Sequence, residues 1–211
     1  MSTNRSRQSD GGNPKLPVTL GIARVDATGF LNIPGSVENR TGEWVRYITV
    51  HFKLYDKRGK ELTVRTTLGE SDKGSTTKNT IVAPGGTGYF HHLRDTGEIE
   101  GEYDHFEMTV EAFATDARVV LEATDVVVGD LSADPISVSG KIKNVGRENC
   151  TSPFAIIITY SGGKIRSVED VILKEDPSAL MPNESADFEA LMMTDEVKID
   201  AVKVIGGNFE L

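Results

Sequence analysis

The chain states one strand-and-turn pattern twice, and that repetition constrains the fold more than any single residue does. The first copy opens Gly35-Ser-Val-Glu-Asn39, continues through an alternating strand ending Phe52-Lys-Leu-Tyr-Asp56, turns at Gly59 and closes on Ala83-Pro-Gly-Gly-Thr-Gly-Tyr-Phe90. The second opens Gly140-Lys-Ile-Lys-Asn144, runs from Phe154 to Tyr160, turns at Gly162 and Gly163, and closes on Met181-Pro-Asn-Glu-Ser-Ala-Asp-Phe188. Gly35 and Asn39 align with Gly140 and Asn144, Pro84 with Pro182, and Phe90 with Phe188. Anchors in the same order at similar spacing mark a repeated structural unit.

The period inside each copy is that of strands. Ile48, Val50, Phe52 and Leu54 share one face, while Tyr47, Thr49, His51, Lys53 and Tyr55 share the other. That alternation requires a second sheet to cover the apolar face. Phe106, Met108, Val110 and Ala112 repeat it, and Val202 with Val204 echo it near the end. The best helical window, Ala179 to Met193, is interrupted by Pro182. The expected fold is all-β: two tandem immunoglobulin-like β-sandwich domains preceded by a flexible N-terminal arm. We place the arm at residues 1–16, the first domain at 17–114 and the second at 115–211, with the two arranged end to end as a rod. The length of 211 residues accommodates two such units.

Charge narrows the function classes. The net charge is −9, of which −8 falls in residues 115–211 and −3 in 17–114, offset by +2 in the arm. A nucleic-acid ligand needs a basic face, and neither domain supplies one. No apolar run approaches the ~18 residues of a membrane span, and no apolar stretch after Arg5 and Arg7 forms a signal peptide. The single cysteine, Cys150, excludes an intramolecular disulfide and reads as a small buried apolar residue.

Phe52-Lys-Leu-Tyr-Asp56 resembles the signature of the FxLYD family, small immunoglobulin-like domains found mostly in bacterial and archaeal proteins. Gly35, Val37, Asn39, Gly59, Pro84, Gly85 and Phe90 stand where that family has its opening, turn and close. The second copy departs from the pattern, with Ile156-Ile-Ile-Thr-Tyr160 in place of the signature and Asn183 in place of the glycine after proline. Asn tolerates the left-handed conformation, so that turn is expected to survive. The resemblance implies a sandwich fold, a secreted or surface setting and a non-catalytic role.

Candidate chemistry is sparse. His51, His91, His92 and His105 all lie in the first domain, but their spacing matches no closed zinc site and we read them as surface residues. The second domain has no histidine, so Cys150 has no base of its own, and no enzyme is expected. Gly69-Glu-Ser-Asp-Lys-Gly74 has P-loop glycine spacing without the lysine that precedes Ser/Thr, and reads as a loop. Asp116, Asp125, Asp130 and Asp134 surround the domain junction without the compact spacing of a calcium loop. No catalytic residue, cofactor or metal is assigned.

The expected interaction residues are Trp44, Tyr47, Tyr55, His92, Glu98, Glu100, Glu102 and Asp104. Trp44 reads as a core residue at a loop-to-strand transition, or as an interface anchor. Tyr47, His51 and Tyr55 on one strand face are the only hint of a carbohydrate-binding row. N-glycosylation sequons occur at Asn4, Asn39, Asn149 and Asn183, the last three in expected turns. The function expected is a structural or protein-interaction module displayed on a surface, as spacer, adhesin or scaffold. The alternative is a virion or filament subunit assembled through edge strands and the arm. Partners are other protein subunits, including copies of itself; localisation is open between cell surface and particle.

Overall fold

A computed structural model describes residues 15–25, 29–62, 65–66, 69–70, 74–99, 101–194 and 197–208. The described chain is all-β. The N-terminal half contains β1 (Val18–Leu20), β2 (Arg24–Val25), β3 (Phe30–Glu38), β4 (Val45–Tyr55), β5 (Arg65–Thr66), β6 (Gly69–Glu70), β7 (Gly74–Thr76), β8 (Ile81–Val82), β9 (Thr87–Asp95) and β10 (His105–Ala114). The C-terminal half contains β11 (Leu121–Val128), β12 (Ile136–Asn144), β13 (Cys150–Thr151), β14 (Pro153–Ser161), β15 (Lys164–Ile172), β16 (Ala179–Leu180), β17 (Ser185–Met192) and β18 (Ala201–Asn208). A single 3-10 turn, Thr96–Glu98, is the only helical element among the described residues. The stretch around Pro182 is strand, turn and strand, as its interrupted pattern predicts.

The strands form antiparallel sheets stacked in layers. In the N-terminal half, β1 and β2 share one side of β3 with β9 on the other, and β10–β4–β7 forms the facing sheet. Leu31, Ile33, Val37 and Phe90 from one sheet meet Ile48, Val50, Phe52, Leu54 and Phe106 from the other in a core that draws on residues 16 to 112. In the C-terminal half, β11–β12–β17 faces β15–β14–β18, and Ile136, Val138, Ile142 and Phe188 pack against Ala155 and Ile157. The alternation read in residues 45–55 is the observed burial pattern of β4.

The repeat anchors form one device, built twice. Gly35 lies opposite Phe90, and Gly140 opposite Phe188, as cross-strand partners. The absence of a side chain on each glycine leaves room for the ring. A Cβ on Gly35 would lie 2.4 Å from Phe90 Cζ, and one on Gly140 would lie 3.0 Å from Phe188 Cε1. At the strand ends, Asn39 Nδ2 donates to the carbonyls of Glu43, Val82 and Ala83 at 2.8, 3.0 and 3.1 Å. Asn144 Nδ2 likewise donates to Glu148 and Leu180, both at 2.8 Å. The backbones match too: Gly85 N donates to Asn39 O and Asn183 N to Asn144 O, while Asn39 N donates to Gly86 O and Asn144 N to Glu184 O. Gly85 and Asn183 hold left-handed φ values of 73° and 71°, so asparagine does serve where the first copy has glycine.

The halves do not sit end to end. β14 is buried along Pro153–Thr159, on both faces. Ala155 and Ile157 point into their own half's core, while Phe154, Ile156 and Ile158 join Ile165, Val168 and Tyr89 in a separate cluster. Tyr89 belongs to β9, so the β3–β9 sheet of one half lies against the β14–β15 sheet of the other. The departure of the second copy from the Phe52-Lys-Leu-Tyr pattern follows from this burial. A strand covered on both sides needs a continuous apolar run rather than alternation.

Gly35→Ala is expected to cost about 1–3 kcal/mol by forcing the Phe90 ring to move. Gly140→Ala, with its looser contact, should cost less. Chemical denaturation of the two variants checks this order, and a larger loss at Gly140 would refute the packing account.

Candidate functional site

The seam between the two halves gathers several polar side chains, some of them half-buried. On β9, successive side chains face opposite ways, and the consequences for His91 and His92 differ. His92 points into the first core, 2% exposed, with its ring 4.3 Å from Phe52 and Nδ1 bonded to Ser75 Oγ at 2.9 Å. The expectation of a surface contact at His92 is therefore corrected: β9 turns that position inward. His91 faces the seam, where Nε2 bonds Asn32 Oδ1 at 2.8 Å, and Asn32 Nδ2 in turn donates to Phe30 O at 2.9 Å. The Val168 backbone of the opposing sheet also lies within reach of the His91 ring. It too departs from the solvated reading given to the histidines.

Charged groups flank His91 from both sides. Lys78 Nζ reaches across the seam to Asp170 Oδ2 at 2.7 Å, with both side chains under one-third exposed. Burial is the main force holding His91 below its ordinary value of 6.5, and the positive charges of Lys78 and Arg24 push the same way. Asp170 and the Val168 carbonyl oppose them. Backbone joins the halves as well: Ile22 N donates to Ile165 O at 2.8 Å, and Thr80 Oγ1 donates to Asn208 O.

Farther along the seam stand two tyrosines and a lysine. Lys203 Nζ donates to Tyr89 Oη at 2.9 Å and lies 5.2 Å from the ring centre. Burial, followed by the hydrogen bond with Tyr89, pushes Tyr160 up to about 12. Tyr160 is thus neutral at any physiological pH, and both tyrosines act as hydrogen-bonding, apolar packing groups. At the seam's end, Trp44 is half-buried against Ile81, Val119 and Cys150. The Arg118 guanidinium lies 5.0 Å above its ring. Trp44 therefore packs between the halves rather than in the main core of the first, and Cys150 is buried beside it.

The other expected contact residues are dispersed. The Tyr55 ring stacks on His105 at 5.3 Å and its hydroxyl donates to Glu107 at 3.1 Å, while His51 pairs with Glu111 at 3.0 Å. Tyr47 sits at a bulge with φ 51°, under the Arg46 guanidinium. These three side chains make separate contacts, Tyr55 and His51 across to β10 and Tyr47 with its own neighbour Arg46, instead of one aromatic platform. Glu102 is exposed, 3.9 Å from Lys57, and Asp104 pairs with His105 at 3.2 Å. Glu98 belongs to the 3-10 turn, and the side chain of Glu98 and the whole of Glu100 lie outside the described residues. So does Asn4.

Asn39 is corrected as a glycosylation candidate. It is 0% exposed and its Nδ2 makes three hydrogen bonds, so the folded chain presents no acceptor nitrogen there. Asn149 and Asn183 are exposed. The junction aspartates stand apart with partners of their own: Asp125 near Lys141 at 3.5 Å, Asp130 capping Ser132, and Asp134 accepting from Thr194 N. Among the described residues no three His, Cys, Asp or Glu side chains converge as metal ligands. No described helix is long and apolar enough to cross a membrane.

Sequence reasoning missed the seam and the groups that line it. The signal was the run Phe154-Ala-Ile-Ile-Ile158, whose lack of alternation marks a strand with two buried faces.

No family model matches the chain, and no curated protein matches it in sequence. Among solved structures, a red sea bream transglutaminase aligns at 10% identity and a TM-score of 0.31, over 94% of this chain and 32% of that one. The Amycolatopsis orientalis exo-chitosanase CsxA aligns at 16% identity and a TM-score of 0.28, over 83% of this chain and 24% of that one. The chain thus spans a third or less of the length of either.

Because His91 is held below its ordinary value, the unfolded chain takes up the proton first as pH falls. Stability is complete above about pH 6.5 and is lost as pH drops from there toward the lowered folded value. His91→Gln should flatten that loss. Melting curves of both proteins at about pH 7.5 and about pH 5.5 test it, and an equal drop in the two would exclude His91 as the cause.

Proposed function

We propose that the chain comprises two tandem immunoglobulin-like β-sandwich domains of the FxLYD type and works as a non-catalytic protein-contact module. The doubled Gly, Asn and Phe device and the two separate cores support the tandem reading. The face that carries the contact reading is the outer surface of β11–β12–β17. Leu191 lies opposite Ser137 and Val127 opposite Ser139, so both side chains share the solvent face near one end. Val127, Leu191 and the neighbouring Met193 are 64%, 66% and 67% exposed. Apolar side chains grouped on an open sheet face favour a protein partner.

Polar groups at the seam support the same reading, since they are engaged in joining the halves: Lys78 pairs with Asp170, and Lys203 donates to Tyr89. A second reading, a subunit of a virion or filament, draws on β10. This strand of 10 residues pairs only with β4 among the described residues, leaving an edge for strand addition.

Leu191→Glu is expected to leave the melting curve nearly unchanged, as exposed substitutions do. Cross-linking of wild-type and variant proteins in extracts of the source should then show the wild type's partner bands lost in the variant. Identical bands would remove this face from the contact. Concentration-dependent oligomers that persist in Leu191→Glu and vanish in Thr109→Pro would favour the edge-strand assembly instead.

A further inference from the structure

We infer that the free edge of β10 takes an extended segment of a partner protein in which basic residues alternate with apolar ones. This rests on the second reading above, with β10 as a docking edge, and names the strand that docks there. Two features of the edge fit a further strand. β10 pairs with β4 alone among the described residues, so its far side presents backbone N–H and C=O groups with no sheet partner. Its inward row is also incompletely covered. Ile48, Val50, Phe52 and Leu54 of β4 are exposed by 3% or less, whereas Met108, Val110 and Ala112, which pack on the same core, stay only half-buried. An added strand with apolar side chains on that face completes the cover.

The outer row decides the charge of the partner. Glu107, Thr109 and Glu111 face solvent, across from Lys53, His51 and Thr49 of β4. Tyr55 and His51 hold the two carboxylates by hydrogen bonds, while Lys53 reaches Glu61, on the other side of β4, at 3.7 Å. Residues 95–116, which lead into and through β10, carry eight Asp or Glu and no Lys or Arg. A second copy's β10, laid antiparallel on this edge about a two-fold axis at Thr109, would set Glu107 opposite Glu111 twice over, and like charges so placed repel. A strand with Lys or Arg at every second position meets those carboxylates with opposite charge. Its intervening residues then fall on the side of Met108 and Val110.

Acetyl-Val-Lys-Val-Lys-Val-Lys-Val-amide is the probe. Its controls are the same peptide with Glu for Lys, and acetyl-Val-Val-Lys-Lys-Lys-Val-Val-amide, which keeps the composition and loses the alternation. In 15N-correlated spectra of the full chain, the probe should give saturable shifts centred on the amides of residues 105–114. It should bind at least about tenfold more tightly than either control. The double variant Glu107→Gln, Glu111→Gln should bind it about fivefold more weakly, with a melting curve close to that of the wild type. Equal binding of the basic and acidic alternating peptides would leave β10 a docking edge and overturn the basic partner. Absence of saturable shifts with every peptide would remove the edge itself. Equal binding of the block-ordered peptide, or unchanged affinity in the double variant, would also overturn the proposal. Shifts at residues 105–114 that grow with the concentration of the chain alone would overturn it in favour of a second copy.

Discussion

Burial of β14 on both faces is the constraint on which the arrangement of the chain depends. Its inward side chains, Ala155 and Ile157, complete the core of the C-terminal half, and its outward ones, Phe154, Ile156 and Ile158, meet Tyr89 of the N-terminal half. Exposing that outward face would leave two fully buried isoleucines, Ile156 and Ile158, and the Phe154 ring in water, at about 25 cal/mol for each Å² of apolar surface. The sheets are consequently stacked in the order β10–β4–β7, β3–β9, β14–β15 and β11–β12–β17. The short connection after Ala114 does not hold the halves apart, because sheet packing brings them together.

Inside each half, stability rests on a device that the repeat preserves. A glycine opposite a phenylalanine lets the ring lie over the strand, and a buried asparagine satisfies carbonyls that the turn would otherwise leave unpaired. The same device explains why one apparent sequon carries no information about sugar. Asn39 is occupied as a structural hydrogen-bond donor, and Asn144, its counterpart, plays the same part without a sequon. Sequence motifs and structural motifs overlap at Asn39, and the burial decides between them.

The seam concentrates what little unusual electrostatics the chain has. A protein of net charge −9 places Lys78, Arg24 and Lys203 along its internal boundary, balanced there chiefly by Asp170. Partial desolvation makes His91 and Tyr160 matter more than the many exposed pairs, since a half-buried histidine beside cations resists protonation and a half-buried tyrosine resists ionisation. The surface pairs, such as Glu102 with Lys57, are largely screened by water and contribute little.

Sequence by itself determined the strands, their buried faces and the doubled turn chemistry. Alternation in residues 45–55, the Gly, Asn, Pro and Phe anchors and the left-handed Asn183 are all local consequences of side-chain period and backbone sterics. Tertiary structure alone decided how the halves meet, and with it the fate of His91, His92, Tyr89, Trp44 and Lys203. Period-2 patterning reports which face of a strand is covered but not by what. Two adjacent histidines on β9 look alike in a sequence and end in different environments because consecutive side chains face different sheets. The cleft at the seam's end was likewise illegible, since Trp44, Val119 and Asn208, which line it, come together only when sheets distant in sequence are packed.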